Sequence, residues 1–323
     1  MASVSVSGVV VLAVLMSALA CAPDGPPSDD AARPATARSA TVRSATDAVA
    51  ALASADEARV TPWPAAVPRV DTLPDDVHGR LARRGLAILT ATRDSLPAYV
   101  GNELRCTSCH LDDGRRRDAL PWVGVLARFP QYRTRNAKIN QITDRVNDCF
   151  ERSLAGRPLP DDSEAMRAIV AYFAVLSRGV PHGTRLEGQA TPRLTLDAPP
   201  DTVAGAQVYA ATCARCHGAD GAGTAAAPAV WGPASYSVGA GMGRPRTAAA
   251  FIRANMPYDQ APGTHTLTPQ QAYDVAAYID GKPRPDFARK AADWPFGGAP
   301  VDVPYATAGR TPARDVPVLP RRD

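Results

Sequence analysis

Two pentapeptides constrain this chain more than any other feature: Cys106-Thr107-Ser108-Cys109-His110 and Cys213-Ala214-Arg215-Cys216-His217. Both read C-x-x-C-H. With 6 Cys and 5 His in 323 residues, one such match is expected by chance about 0.002 times. The spacing suits one chemistry: the two thiols bond the vinyl groups of a haem, and the adjacent imidazole becomes the proximal iron ligand. The reading is therefore two covalently bound haem c groups, one on Cys106 and Cys109 with His110, the other on Cys213 and Cys216 with His217. A zinc site built from the paired C-x-x-C elements would leave both histidines without a role, across a separation far longer than a zinc ribbon needs.

The start of the chain indicates the compartment. Val9 to Leu19 is an apolar run too short to span a bilayer comfortably, and it ends at Ala18-Leu19-Ala20-Cys21. Residues 1–21 read as a signal peptide whose last residues also resemble a lipobox, in which Cys21 carries lipid. Either form makes the protein exported, periplasmic or lipid-anchored on the outer side of the cytoplasmic membrane. Residues 22–70, rich in Ala, Pro, Ser, Thr and Arg without an apolar period, predict a disordered tether. The net charge of +4 is too small to argue for nucleic acid.

Helical signals surround both haem motifs. Val77, Leu81, Leu86 and Leu89 place a helix over residues 75–92, and Asp161-x-x-Glu164 opens an amphipathic helix that ends at Gly179. In the second half, residues 202–212 lead into the motif, residues 247–255 form a short helix, and Thr268-Pro269-Gln270-Gln271 caps a helix running to Asp280. Tyr209 and Tyr278 are placed to pack together. This pattern resembles class I cytochrome c, so the expected fold is all-α. It has two such domains in tandem, at 71–182 and 201–285, joined by a Pro-rich linker at 183–200 and followed by an irregular Pro-rich tail at 286–323.

Cys149 is left over once both haems are attached. Residues 138–155 have helical spacing, and on that helix Arg145, Cys149 and Ser153 stand four residues apart on one face. Cys149 then has two readings: a buried small hydrophobe, or a thiolate ligand to the first haem. For the second haem the sulfur candidates are Met242 and Met256, with His265 a weaker alternative; His78 and His182 read as surface residues.

Arg135, the run Arg145-Val146-Asn147-Asp148-Cys149-Phe150-Glu151-Arg152-Ser153, and later Trp231-Gly232-Pro233-Ala234-Ser235-Tyr236, Gly239-Ala240-Gly241-Met242 and Asn255-Met256-Pro257 resemble the dihaem thiosulfate dehydrogenases. These are relatives of the A-type cytochromes of the sulfur-oxidation system. The resemblance covers about residues 75–285. It implies oxidation of thiosulfate to tetrathionate, with Cys149 as distal ligand of the first haem and Arg135, Arg145 and Ser153 binding thiosulfate. It also implies Met242 as distal ligand of the second haem, and an electron acceptor such as a small soluble or membrane-associated cytochrome c. Gly241 stands where some relatives carry a Lys that competes for iron. Two other functions fit two haems: a non-catalytic electron carrier, or a Sox-type subunit that processes thiosulfate. Membrane attachment is expected only through Cys21.

Overall fold

The computed structural model describes residues 60–261 and 263–309, all within the unit Ala48–Asp323. The leader, Cys21, the tether up to residue 59 and the tail beyond residue 309 lie outside the described residues. In chain order the elements are β1 (Val60–Thr61), α1 (Val77–Thr90), β2 (Gln131–Arg133), β3 (Lys138–Asn140), α2 (Ile142–Arg152), α3 (Glu164–Leu176), β4 (Arg185–Leu186), α4 (Thr202–Val208), α5 (Pro245–Asn255) and α6 (Pro269–Asp280). Single helical turns and loops join them. The two sheets are only paired ribbons, β1 parallel to β4 and β2 antiparallel to β3.

Each half is organised by a helix crossing of the same design. On α1, a Cβ at Gly85 would lie 2.0 Å from the Ala168 carbonyl oxygen of α3; on α4, one at Gly205 would lie 2.1 Å from the Asp274 carbonyl oxygen of α6. Tyr172 and Tyr278, one turn further along the partner helix, flank the two contacts. Only glycine lets backbones approach so closely, so the crossing is written twice in the sequence. The apolar positions then close two interiors: Ile88, Leu89, Trp122, Phe150, Met166 and Tyr172 in the first, and Tyr209, Ala248, Ala272, Val275 and Ile279 in the second.

Local chemistry fixes the helix ends. Asp76 accepts the Gly79 N–H at 2.7 Å at the start of α1, and Thr268 forms a reciprocal capping box with Gln271 at the start of α6. For α3 the cap is Ser163, which accepts from Met166 N at 3.2 Å. Asp161 instead accepts from Asn147 Nδ2 at 3.1 Å.

Several boundaries differ from the sequence expectation. The helix expected over 138–155 starts only at Ile142, because Lys138–Asn140 pairs with Gln131–Arg133. The helix expected over 202–212 changes at Tyr209 into a π turn that runs to Cys213. Val60–Thr61, inside the expected tether, pairs with Arg185–Leu186, inside the expected linker. The linker is also pinned by Gln189, which donates to Val123 O at 2.8 Å. In the expected tail, Phe287, Trp294 and Val303 are buried: apolar residues scattered among prolines have no period to reveal them, yet still find gaps to fill.

Candidate functional site

The first C-x-x-C-H motif sits on a 3₁₀ turn, Cys106–Ser108, directly under α1. Thr92 fixes its entry: its Oγ1 accepts from Cys106 N at 3.0 Å and donates to Leu89 O at 3.1 Å. Burial pushes the Cys106 and Cys109 thiols up to about 12. The His110 Nδ1 hydrogen-bonds the Leu120 carbonyl, and the ring lies 4.7 Å from the Trp122 ring, centroid to centroid. Burial also pushes His110 down to about 4, with Arg145 adding to the shift.

The second motif repeats this arrangement. His217 Nδ1 lies 2.7 Å from Pro228 O, and burial lowers this imidazole too. Cys213 is pushed up to about 11 by burial and by Cys216. Tyr209 donates to Gly218 O at 2.7 Å and packs on Trp231 and on Tyr278, with centroids 4.7 and 5.7 Å away.

The residues present fit haem c. A neutral imidazole whose Nδ1–H is held by a backbone carbonyl has its Nε2 lone pair available for a metal. Both histidines have that carbonyl, His110 is backed by the buried Trp122, and the thiols beside both are free.

Opposite the first motif, α2 presents Arg145 and Cys149. Arg145 Nη1 donates to Cys149 Sγ at 2.9 Å, and the charge of Cys149 holds Arg145 above the ordinary arginine value despite burial. Cys149 also lies within electrostatic reach of both Cys106 and Cys109, which places it on the haem-motif side of the helix. Ser153 ends α2; its N–H donates to Cys149 O at 2.8 Å, and its carbonyl accepts from Asn102 Nδ2 at 2.8 Å.

Arg135 is placed differently from Arg145. Its Nε donates to Asp293 Oδ2 at 2.9 Å, and its Nη2 donates to Gly239 O and to Tyr305 Oη, each at 2.6 Å. Asp293 is also gripped by both Nη atoms of Arg152, at 2.8 and 2.9 Å. Burial raises this carboxyl, but the two guanidiniums and Tyr305 outweigh it, so its net position is below the ordinary range. Sequence reasoning missed Arg152, Asp293 and Tyr305, because the two tail residues lie more than a hundred positions from the arginines they hold. It also missed Arg133, on β2. Burial and Arg145 push Arg133 down to about 10, and Cys149 is within its electrostatic reach.

Met242 lies in the turn Gly241–Gly243 and packs against both interiors and against the small cluster of Leu111, Ala119 and Phe251, which Met256 also joins. Asn255, next to Met256, donates to Asp118 O at 3.0 Å and so ties the two halves together. His78, His182 and His265 are exposed, and His182 and His265 face backbone carbonyls.

Residues 99–182 match the family model for the SoxA/TsdA cytochrome c domain, and residues 202–282 match the model for cytochrome c. A thiosulfate dehydrogenase of Psychrobacter arcticus is 42% identical over 243 residues, covering 73% of each chain. The chain belongs to the thiosulfate dehydrogenase family. A second member of that family, from Allochromatium vinosum, is also 42% identical, over 70% of this chain and 87% of its own. Among solved structures, the thiosulfate dehydrogenase TsdBA of Marichromatium purpuratum in its as-isolated form superposes with a TM-score of 0.65 at 39% identity, over 69% of this chain. This chain spans half the length of that one. Two cytochrome c domains imply covalently bound haem c, and two domains give two groups.

Proposed function

We propose that this chain is a thiosulfate dehydrogenase that joins two thiosulfates into tetrathionate with release of two electrons, and that the reaction takes place beside Cys149. The observation that carries the reading is the Arg145–Cys149 contact on the helix facing the first C-x-x-C-H turn. Cys106 and Cys109 would hold one haem c, with His110 and Cys149 as the side chains that would bind its iron. Cys213 and Cys216 would hold the other, with His217 and Met242. When bound, the haems supply the sink for the two electrons.

The task left to the protein is electrostatic. At about 4 Å and an effective dielectric near 20, two unit charges repel by about 4 kcal/mol, and two dianions by several times that. Fixed guanidiniums offset the repulsion without reorganising. Arg145 is half-buried and charged beside Cys149, and Ser153 stands one turn further on the same face. Arg135 is locked in place by Asp293, Tyr305 and Gly239. In this reading the three bind sulfonate oxygens and leave the sulfane sulfur directed at Cys149. The electrons leave to a carrier such as a small cytochrome c. The leader ending at Cys21 supports an exported enzyme, with lipid on Cys21 as the anchor.

The test is anaerobic mixing of the haem-loaded protein with thiosulfate. Haem reduction with accumulation of tetrathionate is expected. A protein that dithionite reduces but thiosulfate does not would be an electron carrier, and the reading would fail.

A further inference from the structure

The carbonyl that holds His110 belongs to a loop gripped from other parts of the chain. Leu120, whose oxygen meets His110 Nδ1, and Asp118 both have positive φ, +55° and +63°. L side chains leave that region unless their surroundings hold them there. Asp118 N donates to Gly188 O at 2.8 Å, and Asp118 O accepts from Asn255 Nδ2 at 3.0 Å. Ala119, fully buried, forms one apolar cluster with Leu111 and Phe251, and Leu120 packs against it. Arg116, in the same loop, places its guanidinium 5.2 Å from the centroid of the Tyr258 ring. Asn255 and Phe251 lie on α5 and Tyr258 just beyond it, so the second half of the chain supplies most of this grip.

The corresponding loop of the second motif is closed by its own residues. Around Pro228, whose oxygen meets His217 Nδ1, Val230 N donates to Gly221 O at 2.9 Å, Thr224 N to Ala227 O at 2.8 Å and Thr224 Oγ1 to Cys216 O at 2.6 Å. Asn255 is suited to the task it has at the first. It is 2% exposed, its Nδ2 serves both Asp118 O and Phe251 O, the latter at 3.1 Å, and its Oδ1 has no partner among the described residues. An unmet buried acceptor is a cost that an apolar side chain would avoid. What the position retains is therefore the donor.

We propose that Asn255 is a positioning residue for the first haem: from the second half of the chain it fixes the loop that presents the Leu120 carbonyl, and through that carbonyl the orientation and basicity of His110. A firmly held Nδ1–H···O bond orients the imidazole and makes it a stronger donor to a metal, which favours oxidised iron. Without Asn255 the loop relaxes from its left-handed φ, the Nδ1–H is held less firmly, and the first haem accepts an electron at higher potential. The Asn255-Met256-Pro257 stretch thus has a task outside its own domain. The inference rests on haem c bound at His110 and is independent of the thiosulfate chemistry.

Nuclear magnetic resonance of the haem-loaded full chain, moved into deuterated solvent without thiosulfate, tests it. In Asn255→Ala the His110 Nδ1 proton should exchange about tenfold faster than in the parent, the effect of losing one hydrogen bond of ordinary strength, while that of His217 keeps its parental rate. Redox titration followed by magnetic circular dichroism, which resolves the two haems, should show the first potential raised and the second unmoved. If Asn255→Ala fails to accumulate, Phe251→Leu carries the test: it thins the apolar contact to Ala119, keeps the amide, and should give a smaller change in the same direction at the same haem. Parental exchange at His110, a first potential that stays or falls, or an equal change at both haems would each overturn the proposal.

Discussion

Arg145 donates a hydrogen bond to the sulfur of Cys149 at 2.9 Å, from one turn earlier on the same helix. The guanidinium is half-buried, and away from bulk water an ion is retained only where it meets an opposite charge or an unusually good partner. Here that partner is the sulfur itself: Cys149 is the largest influence holding Arg145 in its charged form. Pair and position combine, because the same sulfur lies within electrostatic reach of the two thiols of the first haem motif.

Removing Cys149 should therefore separate chemistry from assembly. Both C-x-x-C-H motifs are intact in Cys149→Ala, so haem content per chain should match the parent, while tetrathionate formation falls by at least about 100-fold, the scale of losing a preorganised transition-state contact. Arg145→Lys retains a charge but loses the fork, and kcat/KM for thiosulfate should fall by about 10- to 100-fold. Steady-state assays alongside haem absorbance check both. A fully active Cys149→Ala would move the reaction elsewhere.

Asp293 is the shared counter-charge of Arg135 and Arg152. Asp293→Asn leaves Arg135 without its carboxylate and Arg152 with only Asp148, 3.5 Å from its Nε, and should lower stability by up to about 3–5 kcal/mol, the usual cost of breaking a buried pair. The carboxyl sits below its ordinary value when folded. Its contribution is then present above the unfolded carboxylate value and is lost as pH falls through the folded one. Urea midpoints at neutral and at acid pH should show a large gap between parent and variant that narrows on acidification. Equal midpoints at neutral pH would mean that the pair holds nothing.

The sequence made some of this arrangement legible and hid the rest, for physical reasons. The haem motifs, α1, α3 and α6 were readable because thiol spacing, apolar period and caps are local signals. The turn from Arg145 to Cys149 was readable because four residues put two side chains on one helix face. The ribbon that delays α2 to Ile142 was not, since pairing of Gln131–Arg133 with Lys138–Asn140 depends on a partner strand. The grip of Asp293 and Tyr305 on Arg135 was hidden for the same reason: it joins segments far apart in the chain, and no periodicity reports such a contact.

Packing supports the proposal of Met242 over Met256 for the second iron. Both methionines pack against Leu111 and Phe251, but Met242 also joins the second interior with Tyr209, Trp231 and Cys213. Met242→Ala should abolish the sulfur-to-iron charge-transfer band of the ferric protein, and Met256→Leu, a swap of nearly equal volume, should leave it in place. The opposite result would assign Met256 and make Met242 a packing residue.

The last test uses the internal repeat. Gly114 follows His110 by four residues, and Gly221 follows His217 by four. Both have positive φ, +71° and +66°, and a Cβ on them would lie 1.9 Å from the Trp122 ring and 2.1 Å from the Trp231 ring. Each tryptophan backs its own haem motif: Trp122 packs on His110, and Trp231 on Tyr209, four residues before Cys213. An added methyl group cannot be absorbed by backbone adjustment alone, because the conformation is already one that L side chains disfavour. Overpacking of this kind costs about 1–3 kcal/mol. In Gly114→Ala the displaced Trp122 should disturb the spectrum of the first haem and spare the second; Gly221→Ala should do the reverse. Magnetic circular dichroism resolves the two haems. If both substitutions disturbed the same one, the two tryptophans would not serve their separate sites.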